Sequence, residues 1–186
     1  MLQLNFTPFP VLTTPRLVLR QFTFADAPDL FELRSNSEIM QYISRPLAKT
    51  LDDAVDLIKV INDLLDAGNG ITWCITTQAD KHFIGTIGFW RIEKEHYRAE
   101  IGYLLNPAYQ GQGLMQEAVE SAIRYGFGVM GLHSIQANVN PRNAASIKLL
   151  KRNNFVQEAY FKENYFHNGF FEDTIVYTLL TKNQMC

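Results

Sequence analysis

The stretch AEIGYLLNPAYQGQGLMQEA, residues 99 to 118, joins an apolar strand-like run to a helical segment through a loop that contains two glycines. The run ends at Leu105, and Gly111 and Gly113 precede a segment in which apolar residues recur at helical spacing. The first N–H groups of a helix are unpaired and carry partial positive charge, so a loop without bulky side chains can bind phosphate there. Taken alone, the glycines fit a tight strand-to-helix turn equally well.

Two other phosphate-binding motifs do not match this loop. The dinucleotide fingerprint GxGxxG requires a third glycine where Gln116 stands. The Walker A motif requires Gly-Lys-Ser or Gly-Lys-Thr, and neither occurs in the chain. A dinucleotide-binding protein and a nucleoside triphosphatase are therefore disfavoured.

The segments on either side of the stretch predict an α/β (α+β) fold. We expect a mixed, mostly antiparallel twisted sheet of about seven strands with helices on both faces. The predicted strands are residues 16–20, 71–77, 83–92, 98–105 and 133–140, with two more flanking Asn168-Gly169. The predicted helices, caps included, are residues 26–34, 50–68, 115–131 and 143–153. The third helix connects strands 98–105 and 133–140, so these two strands should lie parallel.

Length and composition indicate one folded unit. For 186 residues, 47 % of them hydrophobic, we expect a single domain over residues 12–180, an N-terminal extension 1–11 and a C-terminal tail 181–186. The formal net charge of -2 gives no reason to expect nucleic acid or an anionic membrane as a partner. No apolar run reaches the length of a membrane span, and no signal peptide is recognisable.

The cysteines and histidines predict neither a disulfide nor a metal site. Cys74 lies inside an apolar run and Cys186 is the last residue, a context that favours a reducing cytoplasm. The four histidines are scattered without metal-ligand spacing. We therefore expect no metal cofactor.

Several segments of the chain, in a fixed order, carry a wider pattern. They are TPRLVLR at 14–20, AEIGYLL at 99–105, YQGQGLMQEA at 109–118, NAASIKLLKRNNF at 143–155 and NGFFED at 168–173. Together they resemble the GNAT superfamily of N-acetyltransferases, especially the subgroup of ribosomal-protein alanine and serine N-acetyltransferases. Gln110 and Gly113 match the family signature Q/R-x-x-G-x-G/A, whereas Met115 departs from it in a way that resembles the subgroup. The resemblance covers about residues 12–180.

The resemblance implies that the chain binds acetyl-CoA as a co-substrate. The family holds it in a cleft between its splayed fourth and fifth strands, here residues 98–105 and 133–140. The pantetheine amides would pair with the main chain of Tyr103, Leu104 and Leu105. The pyrophosphate would bind the N–H groups of Gln110, Gly111, Gln112, Gly113, Leu114 and Met115.

Two asparagines complete the implied cofactor site. The family uses asparagines near Asn138 and Asn143 to hold pantetheine. Asn143 also suits the N-cap of the following helix, a role that needs no ligand. Asn154 stands where the family has a glycine, and asparagine tolerates the positive φ that this position requires.

Glu100 is the candidate general base, because the acceptor amine must lose a proton to attack the thioester. Strand alternation places Glu100 on the face opposite Ala99 and Ile101, where it can enter the cleft. The alternative is an exposed strand glutamate paired with Arg91 or Arg98.

Ser146 is the candidate partner of the departing thiolate. The family often has a tyrosine acid at the position that Leu150 fills here, so that acid is missing. The resembling subgroup has a serine that Ser146 matches, and its hydroxyl could bind the CoA sulfur. The alternative is an ordinary solvent-facing helix residue.

The resemblance implies an N-acetyltransferase that passes an acetyl group directly to a primary amine, without an acetyl-cysteine. The subgroup points to the N-terminal amine of a protein, such as a ribosomal protein. An amino acid, a polyamine or a drug amine fits the cleft residues equally well. A catalytically silent acyl-CoA-binding sensor is the rival from another class. The chain is expected to be a monomer or a homodimer.

Overall fold

The computed structural model describes residues 1–167 and 169–181, which contain one eight-stranded sheet. The strands are β1 Leu12–Thr13, β2 Leu17–Arg20, β3 Ile71–Thr77, β4 Phe83–Glu93, β5 Arg98–Leu105, β6 Ser134–Val139, β7 Val156–His167 and β8 Phe170–Leu180. The α-helices are α1 Ala27–Ser35, α2 Ser37–Met40, α3 Leu51–Asp66, α4 Leu114–Gly128 and α5 Ala144–Arg152.

The sheet has the strand order β1-β2-β3-β4-β5-β6-β8-β7. Neighbouring strands are antiparallel except β5 and β6, which are parallel across the α4 connection. The predicted mixed, mostly antiparallel sheet is confirmed, and the additional strand is β1, whose two residues are too few to show alternation. Of the predicted Asn168-Gly169 turn, Asn168 lies outside the described residues.

Helices cover both faces of the sheet, as predicted. The side chains of Ala99 and Ile101 in β5 pack in one core with Ala118 and Ala122 of α4. Leu104 packs against a second core, to which α1 and α3 contribute Leu30, Leu33, Ala54 and Ile58. Alternation along β5 therefore connects the two layers of the fold.

Local signals in the sequence account for the helix ends. Asp53 N–H donates to Thr50 Oγ1 at 3.4 Å, and Asp53 Oδ2 accepts from Thr50 N–H at 2.9 Å, so the predicted capping box begins α3. Asn154 has φ of 63°, which confirms the expected left-handed turn after α5. The short helix α2 has no sequence prediction, because four residues show no period; Asn36 caps it.

The segment before β1 packs against the main core. Leu2 and Phe6 are buried, and Trp73 Nε1 donates to the Pro10 carbonyl at 2.7 Å. Residues 1–11, which the sequence analysis treats as an extension, thus cover part of the sheet. None of the described helices is both long and apolar enough to span a bilayer.

Strands β5 and β6 separate along their length. They pair at Arg98↔Ser134, Ala99↔Ile135 and Glu100↔Gln136 only. Beyond Glu100, β5 pairs with β4 alone and β6 with β8 alone, so their facing edges are open. These are the fourth and fifth strands of the family numbering, and the expected cleft lies between them.

Candidate active site

The separation of β5 and β6 opens into a cavity of about 1520 Å³. Its wall includes β5, the loop after it, the start of α4, β6, α5 and residues 41–46. Each sequence-predicted site residue lines this cavity except Gln112. Pockets that bind one small molecule measure about 300–1,000 Å³, so this cavity is larger than a single small ligand requires.

The loop between β5 and α4 presents backbone N–H groups at a helix N-terminus. Among the described residues, no acceptor is found for the N–H groups of Gly111, Gln112 and Gly113. The side chains of Leu114 and Met115 are buried in the core, which leaves only their backbone at the loop. N–H groups arranged in this way favour an anion such as a pyrophosphate.

The two glycines are required by their backbone angles rather than by crowding. Gly111 and Gly113 have φ of 74° and 77°, a region that other residues adopt at a cost in free energy. A Cβ on Gly111 would meet no atom within 4 Å, and one on Gly113 would lie 3.6 Å from Arg16 Nη2. The space in front of the loop is therefore open to a ligand.

Arg16 and Glu117 tie this loop to the start of the sheet. Arg16 Nη1 donates to the Gln112 carbonyl at 2.9 Å, and Arg16 Nε donates to Glu117 Oε2 at 2.8 Å. Glu117 Oε1 accepts from Arg16 N–H at 2.8 Å and from Thr14 Oγ1. Burial raises the pKa of Glu117, but the hydrogen bonds from Thr14 and Arg16 outweigh it and hold the pKa below its usual value. No role of Thr14, Arg16 or Glu117 was predicted from the sequence, although TPRLVLR is part of the family pattern.

The glutamines of the loop use their side chains within the loop itself. Gln110 Nε2 donates to the Leu105 carbonyl at 3.3 Å, and Gln112 Nε2 donates to the Ala108 carbonyl at 3.1 Å. Both side chains therefore stabilise the turn, while the backbone of the loop faces the cavity.

The open edge of β5 offers main-chain groups to an extended ligand. Tyr103, Leu104 and Leu105 pair with β4 on one side, and their other side faces the cavity rather than β6. Unpaired N–H and C=O groups of this kind can pair with amides as an added strand would.

Tyr103 and Ser146 bring two hydroxyl groups together in the cavity wall. Tyr103 Oη and Ser146 Oγ are 2.7 Å apart and hydrogen bonded. Asn143 Oδ1 accepts from Ser146 N–H at 3.0 Å, so Asn143 caps α5 and orients this residue. Burial raises the pKa of Tyr103 to about 12, against a smaller lowering by the Ser146 hydrogen bond, so the phenol stays protonated at neutral pH. From the sequence, Tyr103 was expected to contribute its main chain only.

Glu100 lies in the cavity and is held by two neighbours. Glu100 Oε2 accepts from Arg91 Nη1 at 2.8 Å and from Asn138 Nδ2 at 3.0 Å. Its side chain is 13 % exposed, whereas that of Arg91 is 70 % exposed. No donor to Glu100 Oε1 is found in the described part of the chain, so this oxygen can accept a hydrogen bond from an amine. Of the two possible ion-pair partners, the structure selects Arg91.

Glu100 and Tyr103 project from opposite faces of β5. They lie three positions apart in the strand. Tyr103 packs against the core that contains α4, and strand alternation places Glu100 on the opposite face. Both reach one cavity because the sheet is open beside them. An amine can therefore approach from the α1–α3 side and a thiol leave on the α5 side.

Cys74 takes no part in this site. Its side chain is fully buried in β3, and burial raises the pKa of the thiol to about 12. A thiol in this environment is a poor nucleophile.

The sequence profile described as acetyltransferase (GNAT) domain matches residues 16–156. The chain belongs to the GNAT acetyltransferase family. This GNAT protein is 36 % identical over 172 residues to the uncharacterized N-acetyltransferase YoaA of Bacillus subtilis, covering 92 % of this chain and 97 % of that protein. It is 29 % identical over 178 residues to ribosomal protein uS5-alanine N-acetyltransferase of Escherichia coli, covering 91 % and 90 %.

Solved structures of the family share the fold of this GNAT chain. A GNAT-family acetyltransferase from Bacillus anthracis superposes with a TM-score of 0.82 at 28 % identity, covering 92 % of this chain and 98 % of that one. Spermidine N-acetyltransferase from Vibrio cholerae, in complex with CoA and spermine, gives a TM-score of 0.80 at 25 % identity, covering 90 % and 96 %. The chain is an N-acetyltransferase by family.

Proposed function

We propose that this protein transfers the acetyl group of acetyl-CoA directly to the N-terminal amine of a peptide or protein. The observation that carries the proposal is one cavity containing the free N–H groups before α4, the open edge of β5 and the carboxylate of Glu100. A relative that acetylates a ribosomal-protein alanine supports this class of acceptor.

The described residues offer groups that suit both the pyrophosphate and the pantetheine of acetyl-CoA. The N–H groups of residues 111–115 would hold the pyrophosphate, and the open edge of β5 would pair with the pantetheine amides. Bound there, the thioester supplies an acetyl group on a good leaving group. Asn143 would contribute indirectly, by capping α5 and orienting Ser146, because its side-chain oxygen already accepts the Ser146 N–H.

Glu100 would take the proton of the attacking amine. A protein α-amine has a pKa of about 7.7–8.0 and a lysine-like amine about 10.4, so a base assists both at neutral pH. Arg91 and Asn138 hold one carboxylate oxygen and leave the other for the amine. The C–N bond forms as the C–S bond breaks, and the proton passes to Glu100.

Ser146 and Tyr103 would stabilise the departing thiolate by hydrogen bonding. A free thiol has a pKa of about 8.5, far below that of Tyr103 at about 12. Full proton transfer from Tyr103 to the thiolate is therefore unfavourable. The hydroxyl pair donates a hydrogen bond, and solvent protonates the product.

Release of free thiol from acetyl-CoA, measured with peptides, amino acids and polyamines as acceptors, tests the proposal. We expect turnover with at least one amine, and a loss of about 100-fold or more in kcat/KM for Glu100→Gln at pH 7, as for a general base. This deficit should shrink above the pKa of the acceptor amine, because the amine is then already neutral.

Glu95→Gln is the matched control, since Glu95 is exposed and lies outside the cavity. A purely structural role of Glu100 would give a deficit that does not change with pH. Binding of acetyl-CoA without turnover for every acceptor would refute the transferase proposal and favour a sensor.

A further inference from the structure

Part of the cavity wall is formed by the end of α1 and residues 41–46. This segment is held in place, because Ala48 N–H donates to the Arg34 carbonyl at 3.0 Å. Tyr165 Oη, from the β7–β8 hairpin, donates to the Ser44 carbonyl at 3.0 Å. The wall is thus fixed from two sides.

Two arginines of this wall line the cavity without a carboxylate partner. Arg34 is half-buried in the last turn of α1, where Nη1 lies 3.4 Å from Met40 Sδ, and Arg45 is exposed. Neither belongs to any of the six ion pairs found among the described residues. Burial lowers the pKa of Arg34, and the positive charge of Arg45 lowers it further. Arg45 is therefore a second cation that acts on Arg34.

The carboxylates that line the same cavity do not compensate these charges. Glu100 is paired with Arg91, and Glu172 with Arg142. Asp173 accepts hydrogen bonds from Tyr160 Oη and Glu163 N–H. The remaining one, Glu38, is exposed on α2 and forms no ion pair with Arg34 or Arg45. Arg91, Lys148 and Arg152 also line the cavity.

A half-buried guanidinium without an anion is costly, because the charge loses hydration and gains no partner. The C-terminus of α1 attracts a cation, but this effect acts equally on an exposed side chain. The attraction of the α1 C-terminus for a cation therefore does not explain why Arg34 and Arg45 line the same cavity. The planar guanidinium matches a carboxylate, which accepts two parallel hydrogen bonds from it.

We propose that Arg34 and Arg45 bind a carboxylate of the amine acceptor. The acceptor is then a peptide or an amino acid that carries a carboxylate in addition to its amine, and a polyamine, being cationic, is disfavoured. This inference rests on the proposed acetyl transfer and names the acceptor class of the same site. Glu100 receives the amine while the arginines hold the carboxylate.

Matched acceptor pairs test the inference through kcat/KM. One pair is the peptide Ala-Glu-Ala-Ala, with a free N-terminus and an amidated C-terminus, and its counterpart Ala-Gln-Ala-Ala in the same form. The other pair is alanine and alaninamide. Spermidine is the third acceptor to be tested. The wild-type protein should prefer the carboxylate member of at least one pair about 10- to 100-fold, the effect of a charge-assisted bidentate pair. The two pairs distinguish a side-chain carboxylate from that of a free amino acid.

Arg45→Gln should reduce this preference about 10-fold, mainly through a higher KM for the carboxylate-bearing acceptors. Arg45 is exposed, so this variant should fold even if Arg34→Gln does not. Arg34→Lys keeps the positive charge but lacks the planar guanidinium that donates two parallel hydrogen bonds, so this variant should retain only part of the wild-type preference. Arg124→Gln, on the exposed side of α4, is the matched control.

Three results would overturn the inference while leaving acetyl transfer intact. The first is a wild-type kcat/KM ratio near one in both pairs, and the second is a preference for spermidine. The third is a ratio that stays unchanged in both Arg45→Gln and Arg34→Lys. Absence of turnover with every amine would refute acetyl transfer itself, and this inference with it.

Discussion

Replacing Glu117 by Gln should loosen the loop that precedes α4. The carboxylate of Glu117 accepts hydrogen bonds from Thr14 Oγ1, from Arg16 N–H at 2.8 Å and from Arg16 Nε at 2.8 Å. The same guanidinium holds the Gln112 carbonyl at 2.9 Å. A glutamine offers one acceptor oxygen and an NH₂ group, which cannot accept from Arg16 Nε.

The expected loss in the free energy of unfolding follows from these contacts. A hydrogen bond to a charged group contributes about 1.5–3 kcal/mol. Arg16 is 50 % exposed while Glu117 is 16 % exposed, so water replaces part of what Arg16 loses. We therefore expect Glu117→Gln to lower the free energy of unfolding by about 1–2 kcal/mol. Because Arg16 also positions the loop, affinity for CoA should fall by about 10-fold, a similar free energy.

The effect should depend on pH with a definite sign. The net pKa of Glu117 in the folded protein lies below its usual value, because its hydrogen bonds outweigh the effect of burial. A depressed pKa stabilises the fold above the unfolded value of about 4.3, and this stabilisation is lost as the pH falls through the folded pKa. The difference between wild type and Glu117→Gln should therefore be complete at pH 7 and shrink below about pH 4.

Urea unfolding and calorimetric titration with CoA measure the two effects. Glu120→Gln is the matched control, because Glu120 lies on the same helix, is exposed and contacts Gln116 only through a hydrogen bond that a glutamine can also accept. Equal stability and equal CoA affinity of Glu117→Gln and Glu120→Gln would show that the Arg16–Glu117 contacts do not hold the loop.

Two further substitutions test the glycine loop and the hydroxyl pair. Gly113→Ala should lower stability by about 1–2 kcal/mol because of its positive φ, whereas Gly128→Ala at the end of α4, where a Cβ meets open space, should not destabilise the protein; equal urea midpoints for the two variants would contradict this. Tyr103→Phe should lower kcat about 3- to 10-fold, the effect of one hydrogen bond, with little change in KM for acetyl-CoA; an unchanged kcat would remove Tyr103 from the mechanism.

The prediction of the fold succeeded where the signal is local. The Thr50–Asp53 capping box, the alternation of β5 and the periodicity of α4 each involve residues within a few positions of one another. The elements that the sequence did not predict are β1 and α2, which are two and four residues long. A period cannot be recognised in so few residues.

The main-chain segments that the sequence assigned to the site line the cavity, but only some of the side-chain contacts there were anticipated. Glu100 and Ser146 both line the cavity, and the alternative pairing of Glu100 with Arg91 is also present. The hydrogen bond of the Tyr103 hydroxyl was missed, because strand alternation predicts the face of the sheet on which a side chain lies but not the group that it contacts. Its bond to Ser146 joins positions 43 residues apart.

The sequence by itself determined the loop at the start of α4, since positive φ at Gly111 and Gly113 and the free N–H groups of a helix are properties of the local chain. Only the tertiary structure decided what surrounds that loop. Arg16 meets Glu117 across 101 residues, because α4 packs against the first strands of the sheet. Asn138 meets Glu100 across 38 residues, because the sheet order makes β5 and β6 neighbours. The separation of β5 and β6 likewise depends on the partners that each strand has on its other side, so the cavity belongs to the assembled sheet rather than to any one segment.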